Sequence, residues 1–89
     1  MKCKKIEIVN SLGLHARASA KFVQLASTFK SEITVARDGQ KVNGKSIMGI
    51  MMLAAAKGIE LEICASGDDE DTALENLCSL IDTGFGEEE

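Results

Sequence analysis

Two short segments of the 89-residue chain alternate apolar and polar residues, and this period of two constrains the possible fold most strongly. In the segment 4–9, Ile6 and Ile8 share one face, and in the segment 59–65 the apolar residues alternate with two glutamates. Strands of this kind have one buried face and one face in water. The pattern therefore predicts an antiparallel sheet that helices cover on one side only.

Helices are predicted between and after these strands. An amphipathic helix spans 16–29 and begins near His15, a short apolar helix spans 47–56, and a third helix starts near Glu70 and stops at Gly84. The predicted buried stripe of the first helix consists of Ala16, Ala20, Val23 and Phe29, broadened by Leu25 and Ala26.

A hairpin completes the predicted order of elements. Asp38-Gly39 is a strong turn signal, and it lies between predicted strands at 32–37 and 40–42. The resulting order is β-α-β-β-α-β-α, an α+β fold. We expect an open-faced β-sandwich with a four-stranded antiparallel sheet and three helices on one face. Residues 1–89 should form a single domain, with only the tail 87–89 frayed.

The same turn bears on a possible nucleotide site. The stretch 39–46, GQKVNGKS, fits the phosphate-loop pattern G-x-x-x-x-G-K-[ST]. A hairpin turn at Gly39, however, folds the chain back antiparallel, whereas a phosphate loop must leave its strand to wrap a phosphate. The chain also has room for only about two of the strand-helix units that such a nucleotide fold repeats. An ATPase remains an alternative, which a titration with Mg-ATP alone would reveal.

Charge is divided unevenly along the chain. All ten Lys and Arg lie in residues 1–57, and eleven of the fourteen acidic residues lie in 58–89. The first part therefore carries 10 − 3 = +7 and the second 0 − 11 = −11. This asymmetry favours a basic face that attracts an acidic partner, although the acidic residues could equally serve to solubilise the last helix.

Composition excludes several classes of function. No apolar run approaches the ~20 residues that span a bilayer, so no membrane insertion is expected. The absence of Trp and Tyr argues against nucleic-acid binding by base stacking. Cys3, Cys64 and Cys78 are odd in number and lack metal-site spacing, so we expect reduced thiols, no metal and a cytoplasmic location.

His15 is the only histidine, and Arg17 follows it two residues later at the predicted start of the first helix. A helix N-terminus offers unpaired N–H groups and partial positive charge, which stabilise an anion and favour a neutral, nucleophilic imidazole. Arg17 adds a planar fork of donors that suits phosphate oxygens. These two residues predict a site that holds a phosphoryl group; the alternative is a surface or capping histidine.

Two motifs carry a family resemblance. GLHARASAKF around His15 and NGKSIMGIMMLAAAKG around Ser46 together resemble HPr, the histidine-containing phosphocarrier of the bacterial phosphoenolpyruvate-dependent phosphotransferase system, over essentially the whole chain. The resemblance implies that His15 accepts a phosphoryl group on Nδ1 from enzyme I and passes it to an enzyme IIA. It also implies that Arg17 contacts the phosphoryl group and that an ATP-dependent HPr kinase/phosphorylase modifies Ser46.

The resemblance further implies a monomeric carrier that needs no cofactor and is not itself an enzyme. Ser46 also stands where a helix N-cap belongs, so a capping role is the simpler alternative for it. The residues expected to contact protein partners are Ala16, Ile47, Met48, Met51 and Met52.

One position departs from the family pattern. The motif usually continues H-A-R-P, and Ala18 replaces that proline, which restores a backbone N–H in the first helical turn. Two related functions stay open: a carrier of the nitrogen-regulatory branch, and a regulatory binding module that acts through phosphorylated Ser46 alone.

Overall fold

The computed structural model describes residues 1–87 and contains the predicted order of strands and helices. The elements are β1 (Lys2–Glu7), α1 (Ala16–Ala26), β2 (Glu32–Arg37), β3 (Gln40–Asn43), α2 (Ile47–Met52), β4 (Glu60–Ser66) and α3 (Glu70–Asp82). A single 3₁₀ turn, Gly84–Gly86, follows α3.

All strand pairs are antiparallel, and the strand order is β1-β4-β2-β3. The central strand β4 pairs with β1 on one side and with β2 on the other. Helix α3 packs against β1 and β4, and α1 packs against α2 and α3. The predicted open-faced β-sandwich, with its four-stranded antiparallel sheet and three helices, is confirmed.

The core lies between the sheet and the helices. Ile33 and Val35 of β2 are buried, as are Leu61 and Ile63 of β4, and the residues between them in each strand point away from the core. The helices contribute Phe22, Ile50, Leu77 and Ile81. The period of two in the sequence thus marks the face of the sheet that the helices cover.

The buried stripe of α1 differs from the prediction. The residues that face the core are Ala18, Ser19, Phe22 and Ala26, whereas Ala16 is exposed. Val23, Leu25 and Phe29 only border the core. The prediction is confirmed for Ala26 but is otherwise wrong in phase, because it passed over Phe22, which is 1% exposed and fixes the rotation of the helix.

Two predicted helices end earlier than expected. Helix α1 stops at Ala26 and α2 at Met52, short of the predicted ends at 29 and 56. Ala54 adopts φ 49°, a conformation that an α-helix does not contain. The Arg37 guanidinium donates to the carbonyl oxygens of Leu53 and Ala54, both at 2.8 Å, which stabilises this early end.

The hairpin prediction is confirmed. Asp38 and Gly39 both have positive φ, 48° and 83°, as a tight two-residue hairpin turn requires. The stretch 39–46 therefore contains a turn, the edge strand β3 and the start of α2. It does not form the strand-to-helix loop that wraps a nucleotide phosphate.

A disulfide joins two strands of the sheet. Cys3 on β1 and Cys64 on β4 lie directly opposite each other in the register, and their sulfur atoms are bonded. The expectation of three separate, reduced thiols is therefore wrong for this pair. Cys78 is a free thiol in the core, where burial raises its pKa.

We predict that reducing this disulfide lowers the free energy of unfolding. The bond spans a sequence separation of 61 residues, and in the chain-entropy model a cross-link closing a loop of that length stabilises the fold by up to about 4 kcal/mol. Urea unfolding with and without reductant measures the difference. The variant Cys3→Ser is the control, since its stability should not respond to reductant. Equal stability of the verified oxidised and reduced wild-type protein would contradict the prediction.

Candidate functional site

His15 is the N-cap residue of α1, with φ −76° and ψ 179°, and its side chain makes no capping hydrogen bond. The Ser19 amide donates to the His15 carbonyl at 2.9 Å, so the amides of residues 16–18 lie in the first turn, before the helical ladder begins. The imidazole is 26% exposed. The ring is thus accessible and sits at the positive end of the helix.

The loop before His15 is held against the segment that follows α2. The Leu14 amide donates to the Ala55 carbonyl at 2.9 Å. Gly13 has φ +63°, and a Cβ there would overlap the carbonyl oxygen of Ala55. Only glycine meets both conditions at this position, so the loop and the histidine that ends it have little freedom.

A carboxylate from the other end of the chain contacts the ring. Glu87 Oε2 lies 2.5 Å from His15 Nε2, and Asn10 Nδ2 donates to Glu87 Oε1 at 2.8 Å. The prediction of a frayed tail is wrong for Glu87, while residues 88 and 89 lie outside the described part of the chain. Sequence reasoning missed this contact because it joins residues 72 positions apart, and no local pattern encodes it.

The environment of Glu87 favours its ionised form. Partial burial raises the pKa of the carboxyl group, but the hydrogen bonds from Asn10 and His15, together with electrostatic attraction to His15 and Lys21, outweigh that effect. The pKa of Glu87 therefore lies below its ordinary value. At neutral pH the ring faces a carboxylate, which accepts hydrogen bonds and does not donate them.

Arg17 and Ala18 occupy the same first turn of α1. Arg17 is exposed, and among residues 1–87 no acidic side chain pairs with its guanidinium. Ala18 points the other way and is fully buried. The residue that replaces the family's proline therefore fills the core with its side chain, while the neighbouring arginine faces solvent.

Large apolar side chains are exposed on α2 and on the loop before α1. Helix α2 buries only Ile50, and it packs against α1, the helix that carries His15. The exposed set comprises Val9, Leu12, Ile47, Met48, Met51 and Met52. Among them, Met48 is 71% exposed and Leu12 is 70% exposed. Sequence reasoning did not single out Leu12 or Val9, because isolated apolar loop residues show no periodicity.

Ser46 is the N-cap of α2, as its position in the sequence predicts. Its Oγ accepts a hydrogen bond from the Gly49 amide at 3.1 Å, and its backbone is extended, with φ −117° and ψ 116°. The side chain is partly exposed. The structure thus supports a capping role for this residue.

Within residues 1–87 no cluster of three or more His, Cys, Asp or Glu side chains could hold a metal ion. No helix in this range combines the length and the apolar character that crossing a membrane requires.

A partly exposed histidine at a helix N-terminus, on a small open-faced β-sandwich, fits one class of protein: the phosphocarriers. Comparison with known proteins identifies the family. Residues 2–83 match the family model described as the PTS HPr component phosphorylation site. The chain belongs to the HPr family, the phosphocarriers of the phosphotransferase system.

Individual relatives are similar to this protein in sequence or in structure over nearly the full chain. The phosphocarrier protein HPr of Neisseria meningitidis serogroup A is 58% identical over 97% of each chain. The crystal structure of HPr-C-His from Thermoanaerobacter tengcongensis has a TM-score of 0.96 and 53% identity, and the match covers 100% of both chains. An HPr dimer from the same organism matches with a TM-score of 0.79 and 53% identity, covering 98% of this chain and 100% of that chain.

We predict that Ser46→Ala lowers the free energy of unfolding by about 1 kcal/mol, because the Gly49 amide loses its acceptor. Ser46→Asp is the matched variant, since aspartate caps helices about as well as serine, and it should retain wild-type stability. Urea unfolding of the three proteins measures both effects. If Ser46→Ala is as stable as the wild type, the capping role is refuted.

Proposed function

We propose that this phosphocarrier accepts its phosphoryl group on His15 from phospho-enzyme I and delivers it to an enzyme IIA protein. The observation that carries the proposal is the placement of His15: it is partly exposed at the N-terminus of α1, and its Nε2 faces Glu87. Among the described residues, the hydrogen bond of the ring joins Nε2 to Glu87, and Nδ1 is left for attack on phosphorus. Nδ1 is also the acceptor atom that the family resemblance implies.

The proposed transfer is an in-line displacement between partners. The Nδ1 lone pair forms a bond to phosphorus while the bond between phosphorus and its donor atom in phospho-enzyme I breaks. The first-turn amides of α1 and the Arg17 guanidinium can stabilise the negative oxygens. A phosphoryl group on a surface nitrogen stays reachable for the next acceptor. The chain therefore acts as a carrier without a cofactor, and its partners supply the remaining catalytic groups.

The exposed apolar residues beside the site provide a docking surface in this proposal. Met48, Met51 and Met52 project from α2, and methionine side chains adapt to differently shaped partners. Ala16, at the exposed start of α1, and Ile47 complete the set. Enzyme I and the IIA proteins would use the same surface in turn.

Ser46 offers a means of regulation. A phosphate added there by an HPr kinase/phosphorylase would sit at the N-terminus of α2, where the helix dipole tolerates it. The same charge would lie next to the docking surface and oppose an acidic partner. This part of the proposal draws on the family resemblance and on the partial exposure of Ser46.

We further propose that residues 1–89 act as one cytoplasmic, monomeric unit. The dimeric structure of a relative makes oligomeric state a property to measure directly. A carrier of the nitrogen-regulatory branch would share the site, and it would differ in the IIA-type partner that takes up the phosphoryl group.

We predict that incubation with enzyme I and labelled phosphoenolpyruvate places an acid-labile, alkali-stable label on His15. His15→Ala should take up no label. Arg17→Ala should slow phosphorylation by roughly 10- to 100-fold, as expected for loss of a hydrogen-bonded charge. Mass spectrometry locates the label and rapid quench gives the rates. Label on His15→Ala, or on a residue other than His15, would refute the proposal.

We predict that Met48→Asp raises the KM of enzyme I for this protein by about tenfold or more and leaves the fold intact, because Met48 is 71% exposed. Gln40→Asp is the matched control, since it adds the same charge at an exposed position on the edge strand β3. Steady-state phosphorylation measures both variants. Equal KM values for Met48→Asp and the wild type would exclude α2 from the docking surface.

A further inference from the structure

The contact between Glu87 and His15 lies on the edge of the ring opposite to the one that the proposed transfer uses. Glu87 Oε2 is 2.5 Å from Nε2, and the side chains of His15 and Glu87 are 26% and 13% exposed. Proposed transfer occurs at Nδ1, so the carboxylate does not occupy the reacting nitrogen. Its effect must act through the imidazole.

A neutral imidazole carries one N–H and one lone pair, and the two nitrogens can exchange these roles. Because a carboxylate only accepts hydrogen bonds, Glu87 stabilises the tautomer that has its hydrogen on Nε2. That tautomer has its lone pair on Nδ1. The other tautomer would set a lone pair against the carboxylate oxygens, which is unfavourable.

Asn10 holds the carboxylate in place. Its side chain is 1% exposed, and Nδ2 donates both to the Gly13 carbonyl at 2.9 Å and to Glu87 Oε1 at 2.8 Å. One buried amide group thus ties the loop before His15 to the C-terminal segment. Among the described residues the Oδ1 atom of Asn10 has no hydrogen-bond partner. The side-chain amide thus keeps its two donor hydrogen bonds although its buried acceptor is unsatisfied, which is unfavourable.

The C-terminal segment is anchored independently of this contact. Phe85 is buried at 1% exposure, and Lys21 on α1 donates to the Phe85 carbonyl at 2.8 Å. The Glu87 amide donates to the Gly84 carbonyl at 3.1 Å. Glu87 is therefore presented from a fixed turn, two residues after an aromatic side chain that is part of the core.

We propose that Asn10 and Glu87 are positioning residues that make Nδ1 of His15 the nucleophile. The inference rests on the proposed function, in which His15 accepts the phosphoryl group. As the Nδ1–P bond forms and the donor–P bond breaks, the ring gains positive charge and keeps its hydrogen on Nε2. Glu87 stabilises that charge without taking the proton, as a buried aspartate does for the histidine of a serine-protease triad.

The test is Glu87→Gln, which preserves shape but can donate as well as accept. Nitrogen-15 NMR of the free protein reports which ring nitrogen of His15 carries hydrogen, and a purely structural contact would leave that signature unchanged. We expect the wild type to be mainly the Nε2–H tautomer. Glu87→Gln should show a mixture of the two His15 tautomers. Its rate constant of phosphorylation at saturating enzyme I should be roughly tenfold lower, with little change in KM.

Glu75→Gln is the matched control, because Glu75 is exposed on α3, in a groove that Lys4 of β1 also lines, and the substitution removes the same charge. Amide spectra verify that each variant is folded. The inference is overturned if Glu87→Gln keeps the wild-type tautomer, or if it changes the tautomer and transfers at the wild-type rate. Failure of the proposed function is distinct: the wild type would take no label on His15, whatever the tautomer measured without enzyme I.

Discussion

One-sided burial of the sheet is the constraint on which the rest of the structure depends. Because only one face of each strand is apolar, the helices must share that face, and α1 is held beside both α2 and α3. Phe22 fixes the rotation of α1 over the sheet. The start of α1 then falls at the rim of the helical layer, where His15 is reachable and α2 lies alongside. Apolar packing thus places the start of α1, and the polar contacts of Asn10 and Glu87 then hold the preceding loop and the ring in position.

The site sets opposite charges on two edges of one ring. In the proposed transfer, the first turn of α1 and the exposed Arg17 supply positive potential to the phosphoryl oxygens, and Glu87 supplies negative charge at Nε2. A carboxylate close to an incoming dianion would normally oppose its binding. In the proposed transfer, Glu87 lies at Nε2 and the phosphoryl group binds at Nδ1. The carboxylate can therefore stabilise the tautomer that has its lone pair on Nδ1 while the Nδ1 edge of the ring stays open to the anion.

Local periodicity made much of this fold predictable, and the failures share a physical cause. The alternating strands, the Asp38-Gly39 turn and the Ser46 cap each depend on residues within a few positions of one another. The Cys3–Cys64 pair and the Glu87–His15 contact instead depend on how distant segments are brought together. Strand register is set by the packed sheet, so the facing cysteines could not be identified from their spacing. His15, Arg17 and Ser46 stood out in the sequence because each lies at a helix start, where local sequence signals are strongest.

The disulfide between β1 and β4 also changes the connectivity of the molecule. It closes residues 3–64 into a covalent ring that contains α1, α2 and the hairpin, and it leaves α3 and the C-terminal turn as a pendant arm. A single backbone cut at the Asp38-Gly39 turn would open that ring without separating the two pieces. A cut beyond residue 64 would instead release the arm that carries Glu87. In the oxidised protein, a backbone cut within residues 3–64 therefore leaves both pieces covalently joined, and a cut after residue 64 separates them.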